Sequence, residues 1–262
     1  MRSLWLDWEA LAAKLASKKR LLLLLDFDGT LAPLEETPRQ ARLPGATKAL
    51  IMRLKTRPGV DVAVVSGRSI RDIRSRVGLR KIYYAGNHGL EIDGPGFSFR
   101  HPRAAALKPT MQGLAGALRK DCRGLPGVII ENKGMTLSVH YRRLPPGRLK
   151  ELGKIIRLYQ ERTSRLPVWW RTGHKVWEIV PEADWDKGKA ALCLLRRLRR
   201  PFPIALGDDR TDEDMFRALN EKGVTIRIGC LRPSAAQYSL SSQGQTGLFL
   251  GRLDSSLDEG AR

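Results

Sequence analysis

Asp26 and Asp28 stand directly after a run of leucines, residues 21–25, with only Phe27 between them. Alternation along an extended chain would put both carboxylates on the same side. Two like charges that close repel each other unless a cation lies between them or one keeps a proton, so the spacing points to a metal ion or a shared proton. The plainer alternative is a strand end followed by an Asp-Gly turn at Asp28 and Gly29. Three further stretches carry complementary groups: Ser66-Gly67-Arg68 after an apolar run, Lys187 within DWDKGKA, and the acids of GDDRTDED, residues 207–214. A hydroxyl, an ammonium and a second carboxylate cluster are what metal-assisted phosphoryl transfer requires, with one carboxylate as nucleophile and oxygen ligands for Mg²⁺. Each stretch alone has an ordinary explanation, since Ser66 could cap a helix, Lys187 could lie on the surface, and the acids could favour a helix N-terminus. Their shared position after apolar runs favours the joint reading.

The elements that must hold these groups alternate along the chain. Buried strands are expected at residues 21–25, 60–65, 82–85, 203–206 and 224–228, and helices at 45–55, 69–77, 187–199 and 212–220. This rhythm predicts an α/β fold, a doubly wound parallel sheet whose ligands gather at the carboxyl ends of its strands. The middle of the chain departs from it. A helix and a hairpin, GVIIENKGMTLSVHYR, are followed by a second helix and a second hairpin, PVWWRTGHKVWEIVP. Such a loose repeat makes a smaller α/β layer of its own, inserted as a cap. The expected division is core 1–101, cap 102–182 and core 183–262, with Pro102 and Pro181 as joints. An amphipathic segment rich in tryptophan, residues 3–16, precedes the first strand, and the stretch after Gly251 is expected to fray.

A chain of 262 residues with 42% hydrophobic content can bury a full core. Cys122, Cys193 and Cys230 lie far apart without a CxxC pair, and the four histidines lack zinc-ligand spacing, which favours reduced thiols and a cytoplasmic location. Asp26 interrupts the leucine run too early for a signal peptide or a membrane span. The net charge of +20 raises nucleic-acid binding as a rival. The basic residues, however, are spread along helical stretches such as 71–76 and 196–200, without an aromatic-interleaved RNA motif or a DNA-reading module. A solvated basic surface that also attracts a small anion is therefore preferred, and a monomer is the expected state.

At this level of detail the residues resemble the haloacid dehalogenase superfamily of aspartyl phosphatases. Its four motifs look like Asp26-Phe27-Asp28-Gly29-Thr30, Ser66, Lys187, and Gly207-Asp208-Asp209 with Asp212. The inserted layer is similar to the type 2 cap of that superfamily. Within it, the stretches DFDGTLAPL, SGR, GNHGLEI, ENKGMTLSVHYR, HKVWEIVP and GDDRTDEDMF are similar to the trehalose-6-phosphate phosphatase family. The resemblance implies hydrolysis of a phosphosugar to trehalose and phosphate with Mg²⁺ as cofactor. By it, Asp26 is the nucleophile and Asp28 the acid and base, while Ser66 and Lys187 hold phosphate oxygens. Asp26, the Asp28 carbonyl and Asp208 ligate the metal, supported by Asp209 and Asp212. Phe27, Gly67, Arg68, Asn87 and His88 are expected near the substrate, and Glu131, Lys133 and Glu178 of the cap are expected to bind the sugar. Sucrose phosphate and mannosyl phosphoglycerate are the alternative substrates, and a nucleic-acid-binding protein on an inactive phosphatase scaffold is the more distant one.

Overall fold

The computed structural model describes residues 1–37, 39–173, 175–229 and 233–259. Its strands are, in chain order, β1 Arg2–Ser3, β2 Leu21–Asp26, β3 Val60–Val65, β4 Tyr83–Gly86, β5 Glu91–Gly94, β6 Phe97–Arg100, β7 Ile129–Asn132, β8 Leu137–His140, β9 Val168–Gly173, β10 Val176–Pro181, β11 Phe202–Gly207, β12 Val224–Ile228 and β13 Tyr238–Leu240. They form a nine-stranded sheet ordered β1-β13-β12-β11-β2-β3-β4-β5-β6 and a separate four-stranded sheet ordered β7-β8-β10-β9. The chain divides into two compact units, Met1–Phe99 with Trp185–Arg262, and Arg100–Asp184.

In the large unit, β11, β2, β3 and β4 run parallel, and β5 turns back antiparallel to β4. The leucine run shows why this sheet is covered twice. Leu21, Leu23 and Leu25 enter one apolar cluster with Ile51, Ile73 and Phe249, whereas Leu22 and Leu24 enter another with Leu194, Phe216 and Leu219. Strand alternation thus feeds two cores, with helices Gly45–Thr56, Ile70–Val77 and Gly244–Glu259 on one face and Lys187–Arg197 and Asp212–Leu219 on the other. Asp26 has the parity of Leu22 and Leu24. It therefore faces the layer of the last two helices, which carry Lys187 and Asp212.

Two features differ from the sequence reading. The segment after Gly251 continues a helix, Gly244–Glu259, although its glycines and serines are weak helix formers. Burial of Phe249, Leu250 and Leu253 supplies the stabilisation, and the buried Asp254 is gripped by Arg53 and by Arg57, whose Nε donates to it at 2.5 Å. Residues 260–262, like Cys230, lie outside the described residues. The second difference is the short hairpin of β5 and β6, whose polar alternation gave little apolar signal. Its last aromatic, Phe99, stacks on Trp185 at 4.7 Å, so the two residues flanking Arg100–Asp184 meet and the inserted unit departs from and returns to one place.

The smaller unit contains helices Lys108–Asp121 and Leu149–Arg162, each followed by two strands of an antiparallel sheet. Met111, Leu118, Leu152 and Ile156 from the helices pack with Leu137, Val139 and Ile179 from the strands. The opposite parity forms a polar row across all four strands, Glu131, Ser138, Glu178 and Arg171, in direct register. Position 174, in the second expected hairpin, lies outside the described residues.

Candidate active site

The carboxyl ends of β2, β3, β4 and β11 bring the expected groups of the large unit to one edge of its sheet. Asp26 pairs with Val65 in register, which sets it beside Ser66, and Leu25 pairs with Leu206, which sets it near the loop that opens at Gly207. Behind this edge lies Lys187, the first residue of its helix and 3% exposed. Its Nζ donates to Asp26 Oδ1 and to Asp212 Oδ1, both at 2.8 Å. Burial opposes the lysine charge, but Asp212 and Asp26 outweigh it and raise its pKa, so it stays protonated.

One oxygen each of Asp26, Asp208 and Asp212 lie within 4.8 Å of one another, close enough to hold a metal ion. With Lys187 counted, the three carboxylates leave an excess of two negative charges, which a divalent cation would close. Asp212 is already engaged at both oxygens, because Oδ2 accepts the backbone N–H groups of Asp208 and Asp209 at 3.1 and 3.0 Å. Asp26 and Asp208 are consequently the carboxylates best placed to hold a cation, and Asp212 orders the loop. Asp208 is steadied by Thr30, whose hydroxyl donates at 3.1 Å. Gly29 allows this approach, since it adopts φ +82° and a Cβ there would overlap the Asp208 carboxylate. Asp209 is exposed, and its carboxylate accepts from the Arg210 N–H at 2.6 Å, so it stands apart from the three converging acids.

The unneutralised acids perturb each other. Burial first, then Asp212, pushes the Asp208 carboxyl up to about 6. Burial also raises the Asp26 pKa well above the ordinary carboxylate range, with Lys187 opposing and Asp212 adding to the rise. A carboxyl raised on folding contributes stability below its unfolded pKa, and that contribution is lost as pH rises through the folded value. The metal-free protein should therefore lose stability as pH rises from about 4 through 6, by on the order of 2 kcal/mol from Asp208. Millimolar Mg²⁺ should restore that loss at pH 7. Thermal melts across this range, with and without Mg²⁺, check the sign: a metal-free melting temperature that is flat or rising would contradict it.

Asp28 takes a different direction from Asp26. The strand stops at Asp26, and Leu31 and Ala32 donate their N–H groups back to the Phe27 carbonyl, so the alternation does not reach Asp28. Its carboxylate is instead clasped by the Arg68 fork, Nη2 to Oδ1 at 2.5 Å and Nε to Oδ2 at 2.7 Å. Arg68 in turn donates to Asp72 at 2.8 Å, and Asp72 accepts from Arg76 at the same distance. Burial would raise the Asp72 pKa, but Arg76 and Arg68 hold it below the usual carboxylate range. The Arg68 guanidinium also lies over the Phe27 ring at 5.6 Å.

The Ser66 loop and the Asn87 loop are tied by their backbones. Ser66 accepts from the His88 N–H at 3.0 Å, and Arg68 accepts from the Asn87 N–H at 2.7 Å. Asn87 and His88 hold left-handed backbone, φ 50° and 57°. Gly67 makes room for this arrangement, because a Cβ on it would crowd the His88 ring. Asn87 is buried and donates its amide to Glu91 at 2.7 Å, which places it as a support for the loop. In the separate small unit, Lys133 pairs with Glu178 at 2.9 Å, Ser138 donates to the same carboxylate at 3.0 Å, and His140 meets Glu131 at 2.8 Å.

Sequence reasoning named Thr30 only as the end of the first motif, without a role, and did not single out Asp72, Ser138, His140, Glu213 or Arg227. Asp72 had a local signal, its place four residues after Arg68 and four before Arg76 on one helix face. Arg227 had another, as the one charge in the apolar strand VTIRI.

A mainly parallel sheet with carboxylates, a hydroxyl and a buried lysine at its strand ends, together with a separate antiparallel layer, defines the haloacid dehalogenase-like phosphatase fold. Solved structures agree with it. A trehalose-6-phosphate phosphatase related protein superposes with TM-score 0.80 at 24% identity, covering 92% of this chain and all of that one. The C-terminal domain of the Candida albicans trehalose-6-phosphate phosphatase gives 0.79 at 22% identity over 97% and 98% of the two chains. Residues 24–244 match the trehalose-phosphatase family, and this chain belongs to it. The trehalose-phosphate phosphatase of Mycobacterium tuberculosis strain H37Rv is 38% identical over 245 residues, and that of Mycobacterium marinum is 36% identical over 242. The matches cover 89% and 88% of this chain, respectively, and 61% of each relative, so the chain spans about three fifths of their length. Among the described residues no helix is long and apolar enough to cross a membrane.

Proposed function

We propose that this chain is a cytoplasmic, Mg²⁺-dependent phosphoric monoester hydrolase that converts trehalose 6-phosphate to trehalose and phosphate through an aspartyl-phosphate on Asp26. The observation that carries the reading is the Asp26–Lys187–Asp212 arrangement with Asp208 converging on it, within a member of the trehalose-phosphatase family. Asp26 Oδ1 is fixed by Lys187, which leaves the second carboxylate oxygen to attack phosphorus in line. Lys187 and the Ser66 hydroxyl hold phosphoryl oxygens, and the ammonium offsets charge as the carboxylate approaches the anion. Asp28 gives its proton to the leaving sugar oxygen, then takes one from the water that releases phosphate. Asp26 and Asp208, with the Asp28 carbonyl, would hold Mg²⁺, which suits an all-oxygen site and lowers the repulsion between nucleophile and phosphate when bound.

The sugar is assigned to the polar row of the smaller unit. Trehalose offers hydroxyls without charge, so paired acceptors such as Glu131 and Glu178 and a donor such as Lys133 are suited to it. Each lost charged hydrogen bond should cost about 1.5–3 kcal/mol. Replacing Glu131, Lys133 or Glu178 by Ala should then depress kcat/KM for trehalose 6-phosphate by about one to two powers of ten. Hydrolysis of a small aryl phosphate, which has no disaccharide to be recognised, should barely change. Equal losses on both substrates would make these residues supports of the fold.

Phosphate release over a panel of sugar phosphates, with Mg²⁺ and with chelator, tests the assignment. Trehalose 6-phosphate should give the highest kcat/KM, and excess chelator should stop turnover. A better substrate among sucrose phosphate, mannosyl phosphoglycerate or the monosaccharide phosphates would overturn the substrate, and full activity in chelator would overturn the metal.

A further inference from the structure

The backbone of the Asp208-Asp209 pair is held from two sides, by Asp212 and by a pair of residues that the chemistry above does not use. Its two N–H groups go to Asp212, while its two carbonyl oxygens accept from one side chain, Arg227: Nη2 donates to the Asp208 carbonyl and Nη1 reaches that of Asp209 at 3.4 Å. Arg227 lies inside β12, the strand next to β11, and heads the large side chains that are fully buried. Its charge is met by Glu213, which accepts from Nη1 at 2.5 Å. Glu213 also accepts from the Ser234 hydroxyl and the Ala235 N–H, each at 2.7 Å.

A central strand needs no guanidinium, and burying an ion pair stabilises a fold poorly compared with apolar packing. What the pair does provide is direction. Adjacent residues of one helix divide the loop between them: Asp212 takes its donors, and Glu213 anchors the arginine that takes its acceptors. With four backbone groups fixed, the Asp208 carboxylate has little freedom but to stand beside Asp26.

We infer that Arg227, anchored by Glu213, is a positioning residue that sets Asp208 for cation binding before the cation arrives. The inference rests on the proposed Mg²⁺ site and deepens it, as groups behind metal ligands commonly fix ligand orientation. Its test is calorimetric titration of the full chain with Mg²⁺ in the absence of substrate, paired with the Mg²⁺ midpoint of phosphate release. Arg227→Met should weaken Mg²⁺ binding about 10- to 100-fold and raise the activation midpoint in parallel, with most of kcat recovered at saturating Mg²⁺. Arg227→Lys should recover the affinity only in part, because a single ammonium cannot reach both carbonyls as a fork does. Glu213→Gln keeps the shape, removes the anchoring charge, and decides the matter if neither arginine variant folds; it should weaken Mg²⁺ by a smaller factor. A folded variant that binds Mg²⁺ as the parent does, and loses only melting temperature, would overturn the inference. A parent that takes up no Mg²⁺ would instead remove the metal site itself.

Discussion

Asp26→Asn should lower kcat by more than about 10⁴-fold, the scale on which removal of a nucleophile acts, while the protein stays folded. An amide of the same shape cannot attack phosphorus. It can still accept from Lys187 through its oxygen, and Lys187 keeps Asp212 as its second partner. The change also removes one of three crowded carboxylates, so the metal-free variant should melt no lower than the parent. Phosphate release measured beside a thermal melt separates the two effects. Near-normal turnover would remove Asp26 from the chemistry, and loss of activity together with the melt would make its role structural.

Asp28→Asn should cost about 10²–10⁴-fold with a sugar phosphate, the usual range for loss of a general acid. The loss should shrink with an activated aryl phosphate, whose leaving group needs no proton. The amide keeps only one of the two Arg68 contacts, because its NH2 cannot accept from the guanidinium, so the side chain can also shift. A shift of that kind should slow both substrates alike, so the difference between the two losses reports the proton transfer. Parallel kcat series on the two substrates provide the measurement, and equal losses would argue against the acid role.

How far the sequence alone reached depended on whether the information was local. Residues 21–26 carried both an unbroken apolar run and the acids at its end, and β2 ends at Asp26 with those leucines divided between two cores. Lys187 was visible as the first residue of an expected helix, and the helix does begin there, capped by Asp186, which accepts from the Lys189 N–H at 2.8 Å. The direction of Asp28 was not visible, since alternation holds only while the strand lasts and a backbone turn begins at Phe27. Arg227 meets the Asp208 carbonyl and Glu213 only once β12 lies beside β11, a pairing that no spacing along the chain encodes. The final helix escaped for a related reason: its stability comes from Phe249, Leu253 and the buried Asp254 rather than from helix-forming residues.

A rapid-quench experiment on labelled trehalose 6-phosphate tests the central claim most directly. In the presence of Mg²⁺, radioactive phosphate should pass transiently onto the protein as a hydroxylamine-labile acyl phosphate, located on the peptide that carries Asp26 and absent from Asp26→Asn. Trehalose should appear no later than the labelled protein, and free phosphate after it. Release of phosphate at the full rate with no labelled protein, or label on a peptide without Asp26, would contradict the account.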